Sequence, residues 1–89
     1  MFVILTYDAG KSRNRKLLKI CRKYLTHTQE SVFEGNLTEA KLKQLEAEIK
    51  NTLYFRDDSC QIYLLENTKY CTKHCIGKTI SSDEILIRT

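Results

Sequence analysis

The chain has 89 residues, enough for one small domain. A domain of this size buries only about 60–65% of the surface its unfolded chain exposes, so the core is thin and association with a second copy is favoured. Lys and Arg number 15 against 11 Asp and Glu, a formal net charge of +4 that suits a polyanionic partner without demanding one. At 42% apolar and 29% charged residues the composition excludes a disordered tail. No apolar run approaches ~18 residues, which excludes a membrane-spanning helix. The opening Met1-Phe2-Val3-Ile4-Leu5 carries no basic leader and is too short for a signal peptide, so a cytoplasmic protein is expected. In that reducing setting Cys21, Cys60, Cys71 and Cys75 are expected as free thiols.

Residues 2–7 are nearly all apolar and rich in β-branched and aromatic side chains, which predicts a strand covered on both faces. It ends at Asp8, before the turn signal Ala9-Gly10. Residues 11–25 follow a helical period, with Leu17, Leu18, Cys21, Tyr24 and Leu25 on one side and Ser12 or Asp8 as candidate caps. His27 to Glu34 reads as one extended stretch ended by Gly35. A second helix starts at Thr38 and buries Leu42, Leu45 and Ile49, although Lys41 stands where a capping box needs an acid. Arg56-Asp57-Asp58-Ser59 reads as a polar turn. Gln61–Leu65 is a predicted strand, Glu66-Asn67 a turn, and 69–76 a further strand broken at Gly77. Ile85-Leu86-Ile87 form a last apolar piece that needs a strand edge to cover it. Two helices on one face of a mainly antiparallel sheet, an α+β sandwich in a single domain spanning 1–89, is the economical arrangement.

Charge is most uneven on the first helix. Residues 11–25 carry Lys11, Arg13, Arg15, Lys16, Lys19, Arg22 and Lys23 and no acid. Like charges at i, i+4 repel, so the pattern points either to phosphate binding or to a solvated basic face. The guanidinium forks of Arg13 and Arg15 match phosphate oxygens. Asp8, at the end of the first strand, is either a turn carboxylate or one half of a metal site, since Mg²⁺ takes one or two carboxylates and keeps waters and substrate oxygens. Cys71, His74 and Cys75, with Cys60, form a zinc-like set, yet on a strand Cys71 and Cys75 share one face and His74 the other. Buried or edge thiols are the alternative. No G-x-S-x-G elbow, Gly-rich phosphate loop or aromatic RNA-recognition strand motif is present.

Val3-Ile4-Leu5-Thr6-Tyr7-Asp8, Arg13-Asn14-Arg15 and Gln29-Glu30-Ser31-Val32-Phe33-Glu34-Gly35-Asn36-Leu37-Thr38 together resemble the CRISPR-associated protein 2 family, from the first strand to Gly77. The resemblance implies a ferredoxin-like βαββαβ sandwich with an extra C-terminal strand, and splits the stretch around 28–36 into two strands or a kinked one. It implies a symmetric homodimer in which a strand of about 84–88 adds to the partner chain's sheet. It further implies CRISPR spacer acquisition in antiviral defence, with the CRISPR-associated protein 1 integrase as partner. Members are described as metal-dependent endonucleases on single-stranded RNA or duplex DNA, and also as non-catalytic scaffolds. By motif, Asp8 matches the metal-binding aspartate, and Tyr7, Arg13, Arg15 and Phe33 match positions linked to nuclease activity. His27 stands where some members carry Arg just before the second strand, which weakens a phosphate contact there. The expected assembly is a dimer sharing one Mg²⁺ between two Asp8 side chains. In it Lys11, Arg13, Arg15, Lys16 and Lys19 lie along a nucleic-acid backbone. A thiol-based metal carrier on the same fold is a third reading, although such carriers place thiols where this chain has Asp8-Ala9-Gly10.

Overall fold

The computed structural model describes residues 1–67, 70–77 and 87–88. The apolar opening run forms strand β1, Phe2–Asp8, whose side chains alternate between two faces. Val3, Leu5 and Tyr7 are buried, while Phe2, Ile4 and Thr6 are half-buried and Asp8 is exposed. Helix α1 follows as Lys11–Tyr24 and buries Leu17 and Cys21. Its N-cap is Gly10, without a side-chain cap. Neither Ser12 nor Asp8 caps it, contrary to expectation.

The stretch expected as one extended segment is a hairpin of β2, Thr26–Gln29, and β3, Val32–Asn36. Gln29 pairs with Val32, so the connection is the two residues Glu30-Ser31. Glu30 takes φ 40, a left-handed conformation that local sequence signals rarely assign to Glu. Gly35 lies inside β3, opposite Val3, and does not end it. Helix α2, Glu39–Thr52, buries Leu42, Leu45 and Ile49 as the periodicity predicts. Thr38 caps it by accepting the backbone N–H of Lys41 at 3.2 Å. Half of a capping box is present, and the missing acid leaves the other half unmade.

Strands β4, Ser59–Asn67, and β5, Tyr70–Gly77, form an antiparallel pair. Glu66 and Asn67 belong to β4 and not to a turn. A two-residue strand β6, Ile87–Arg88, pairs with β5 of its own chain through Cys71↔Ile87 and Tyr70↔Arg88. The apolar tail thus finds an edge on its own chain at Ile87, where the family resemblance implies the partner's sheet, while Ile85 and Leu86 lie outside the described residues. The sheet order is β2-β3-β1-β4-β5-β6. Each crossover helix skips one strand, so that β3 fits between β1 and β2 and β1 between β3 and β4. This is the ferredoxin-like arrangement with two strands added beyond β4.

Both helices cover the same sheet face, where they enclose one core with Val3, Leu5, Tyr7, Phe33, Cys60, Ile62, Leu64 and Ile76. Glu48 of α2 joins the helices by accepting from Lys23 Nζ and Tyr24 Oη of α1. Among the described residues no helix crosses the other face. The register places Phe2 beside Leu65, Ile4 beside Tyr63 and Thr6 beside Val32 there, a continuous half-buried apolar surface. Gly77 closes β5 at φ 86, and a Cβ on it would stand 2.3 Å from the carbonyl oxygen of Asp58. Gly77→Ala is therefore expected to cost at least about 1–2 kcal/mol from the backbone conformation alone, before the clash is counted. An unchanged urea midpoint would show that the end of β5 is free to move.

Candidate nucleic-acid and metal interface at the end of β1

Strand alternation divides neighbouring residues at the end of β1. Tyr7 points under the helices and is 8% exposed. Asp8 points to the uncovered face, paired in register with Ser59. The β2–β3 loop folds back against this strand end, with Tyr7 N–H donating to the carbonyl of Ser31 at 3.3 Å. Between the loop and the first turn of α1 lies an open cleft in two connected parts. One, of about 300 Å³, is lined by Tyr7, Asp8, Ala9, Asn14, Glu30 and Ser31. The other, of about 410 Å³, shares Tyr7, Asn14 and Glu30 and adds Lys11, Arg15, Leu18 and His27.

The cleft thus brings together Tyr7, Asp8, Lys11 and Arg15, four of the residues singled out from the sequence. Lys11 and Arg15 are exposed one helical turn apart, so both cations face the same groove. Lys16 and Lys19 are exposed on α1 but do not line it. Burial, reinforced by the nearby Cys21 thiol, raises the Tyr7 phenol above its usual range. At neutral pH it is a proton donor and not a base.

Phe33 is placed differently from its expected role. It is fully buried and lies between two rings, with Tyr7 at a centroid distance of 5.9 Å and His27 at 4.5 Å. A side chain with no exposed surface touches no polymer. Phe33 instead sets the angle of the two rings that line the cleft. His27 lies inside β2, not before it, and its Nε2 donates to the carbonyl oxygen of Glu30. That bond holds the strained turn residue whose side chain reaches the cleft. Asn14, Glu30 and Ser31 were not recognisable as cleft residues from the sequence, and His27 was singled out only through the family resemblance. The motif Gln29-Glu30-Ser31-Val32-Phe33 marks the segment without showing which side chains point outward.

Arg13 departs furthest from expectation. Its guanidinium is not directed at solvent for phosphate but grips Asp58. Nε donates to Oδ2 at 2.8 Å and Nη2 to Oδ1 at 2.9 Å. One face of the group lies 3.9 Å from the centroid of Tyr54. Asp58 is fully buried and also accepts the backbone N–H groups of Gly10 at 3.1 Å and Tyr54 at 3.0 Å. The Arg13 hydrogen bonds, with those of the two backbone amides, overcome burial and hold this carboxyl well below the usual carboxylate range. The predicted polar turn therefore contains a buried anchor.

The thiols and His74 do not converge. Cys71 and Cys75 lie on the uncovered face of β5, opposite Leu65 and Gln61, while His74 lies on the helix face and donates Nδ1–H to Glu46 at 3.1 Å. Burial pushes the Cys21 thiol up to about 12 and raises that of Cys60 as well, so neither is a thiolate at neutral pH. Among the described residues no three His, Cys, Asp or Glu side chains cluster to hold a metal.

This fold has counterparts among known proteins. The profile of the family described as CRISPR associated protein Cas2 matches residues 1–73. The chain belongs to the Cas2 family. The CRISPR-associated endoribonuclease Cas2 of Dictyoglomus turgidum is 40% identical over 77 residues, covering 86% of this chain and 88% of its own. A Cas2 crystal structure matches at 36% identity with a TM-score of 0.71, covering 98% of each chain. The crystal structure of Streptococcus pyogenes Cas2 at pH 6.5 matches at 30% identity with a TM-score of 0.69, covering 76% of this chain and 89% of the other. The chain is thus CRISPR-associated, and the Cas2 relatives it matches carry endoribonuclease names.

Two outcomes test this geometry. Phe33→Ala is expected to cost about 3–5 kcal/mol in urea unfolding, whereas an exposed substrate-contacting aromatic would cost far less. Asp58 has its folded-state pKa depressed, so its contribution to stability is present above the unfolded value of about 3.9 and is lost as pH falls through the folded one. Asp58→Asn should accordingly unfold more easily than the parent near neutrality, and the gap should narrow progressively below about pH 4. A gap independent of pH would mean that the ionised carboxylate carries no such contribution.

Proposed function

We propose that this chain acts as a homodimer in CRISPR adaptation. In this reading it holds a nucleic-acid backbone together with the CRISPR-associated protein 1 integrase and has Mg²⁺-dependent endonuclease activity on RNA or DNA. The observation that carries this reading is the position of Asp8: exposed, on the uncovered sheet face, at the mouth of a cleft lined by Lys11 and Arg15.

The apolar surface of Phe2, Ile4, Val32, Tyr63 and Leu65 supports the dimer. A small domain gains most by covering such a face with its own copy, and a two-fold pairing is self-complementary. Asp8 lies on the same face, so a symmetric pair contributes two carboxylates to one interface. The described residues of one chain bring no three metal-ligating side chains together, but two hard carboxylates with waters and phosphate oxygens form a donor set that Mg²⁺ accepts. When bound, the ion polarises a phosphoryl oxygen and lowers the pKa of a coordinated water. The chain's own residues do the rest. Lys11 and Arg15 hold backbone phosphates without reading bases. The phenol of Tyr7, protonated at neutral pH, lines the cleft as a donor for an oxygen of the bound backbone.

Asp8→Ala is expected to abolish cleavage while leaving the dimer and duplex binding intact. Undiminished cleavage by highly purified Asp8→Ala protein would remove the nuclease reading. A second reading, the same dimer as a scaffold with Asp8 idle, rests on the exposed cations of α1, which bind backbone whether or not any bond is cut. Binding by either route should weaken with salt. If the dimer neutralises about six phosphates, log affinity falls against log salt with a slope of about −5. A flat salt dependence would count against backbone recognition altogether.

A further inference from the structure

We infer that Arg13 is not a phosphate ligand but a positioning residue, and that Asp58, through Arg13 and the amide of Gly10, sets the place of Asp8 and of the first turn of α1. In its catalytic consequence the inference rests on the nuclease reading.

Three observations carry it. First, every donor to Asp58 is accounted for, two on each oxygen: Gly10 N–H and Arg13 Nη2 on Oδ1, and Arg13 Nε and Tyr54 N–H on Oδ2. If Arg13 swung out to a phosphate, a fully buried carboxylate would keep only two backbone donors, which is strongly unfavourable. The guanidinium is further held by Tyr54 on one face and by Ser12, whose Oγ accepts from Nη1 at 3.0 Å. Arg15, two residues on, is exposed and has none of these partners.

Second, the packing leaves no slack. A Cβ on Gly10 would stand 2.6 Å from Arg13 Nη2, and one on Gly77 would stand 2.3 Å from the Asp58 carbonyl oxygen. Gly10 therefore lies where the chain closes on the guanidinium of the pair, and Gly77 where the end of β5 closes on the backbone of Asp58. Third, Asp8 lies between two points that the pair fixes. Its cross-strand partner Ser59 directly follows Asp58, and the amide of Gly10, two residues after Asp8, is bonded to Asp58. Asp58 also supplies the anionic charge that the N-terminus of α1 lacks, since the first turn contains no acid.

The test compares duplex binding over a salt series for the full-length protein. Arg15→Ala is expected to reduce the magnitude of the slope by about 0.9 for each phosphate it no longer neutralises. The double substitution Arg13→Gln with Asp58→Asn keeps net charge and leaves no unpaired charge behind, and is expected to keep the parent slope. A fall in slope equal to that of Arg15→Ala would overturn the inference. Positioning is read separately. Asp58→Asn should speed hydrogen exchange at the Gly10 amide while the core of α2 stays protected. It should also lower kcat for cleavage by roughly 100-fold with KM for nucleic acid unchanged. Parent-like exchange at Gly10, or kcat and KM that worsen together, would reduce Asp58 to a general support of the fold. If the parent itself cleaves nothing, the nuclease reading fails, and the slope and exchange measurements still decide the role of Arg13 and Asp58.

Discussion

A charged carboxylate placed out of water must be bonded on every side or it unfolds what surrounds it. Asp58 meets that condition with four donors taken from the β1–α1 turn, from α1 and from the exit of α2. Its own backbone leads directly into β4, which starts at Ser59, and its carbonyl oxygen faces the end of β5. One side chain therefore ties together the β1–α1 turn, α1 and the exit of α2 at the end of the sheet where the cleft opens. The hydrophobic layer beneath α1 and α2 explains why the helices lie on the sheet. It does not explain why the strand end and the helix start hold a fixed relation, because apolar contacts are not directional. The ion pair supplies direction.

Strand geometry then divides the chemistry. Successive side chains of β1 point to opposite faces, so Tyr7 is anchored in the core against Phe33 while Asp8 emerges on the uncovered face. The core side carries a neutral phenol whose ionisation burial suppresses. The open side carries an exposed carboxylate. Cationic side chains of α1 reach the same cleft from above. Rigid neighbours surround the site, and long solvated side chains complete it, a combination that suits a flexible polyanion held by its repeating phosphates.

The acid-free first helix has a double character. Lys11, Arg15, Lys16, Lys19 and Arg22 remain exposed, so the field of the helix is directed outward. Arg13 is withdrawn from that set by Asp58 and Lys23 by Glu48. The Arg13-Asn14-Arg15 triplet thus contains two arginines with different physical settings, one part of the scaffold and one part of the surface. Likeness between residues in a motif does not make them equivalent in use.

An almost unbroken apolar run made β1 legible, and the period of 3.6 made both helices and the inward stripe of Leu17, Cys21, Leu42, Leu45 and Ile49 legible, because those patterns come from covalent geometry and burial alone. Asp8, Lys11 and Arg15 were legible as a candidate site because strand end and helix start are adjacent in the chain, and Tyr7 was added by the family resemblance. The hairpin at Glu30-Ser31 was not, since neither residue is one that local propensity places at positive φ. The roles of Arg13, Asp58 and Phe33 were not legible either. Asp58 lies 45 residues from Arg13 and 48 from Gly10, and its surroundings in sequence read as a solvated turn. By itself, then, the sequence determined β1, both helices and the cationic start of α1 beside the end of β1. Only the tertiary structure decided which arginine is bonded inward and which aromatic is sealed in the core, because pairing and burial depend on where distant segments meet.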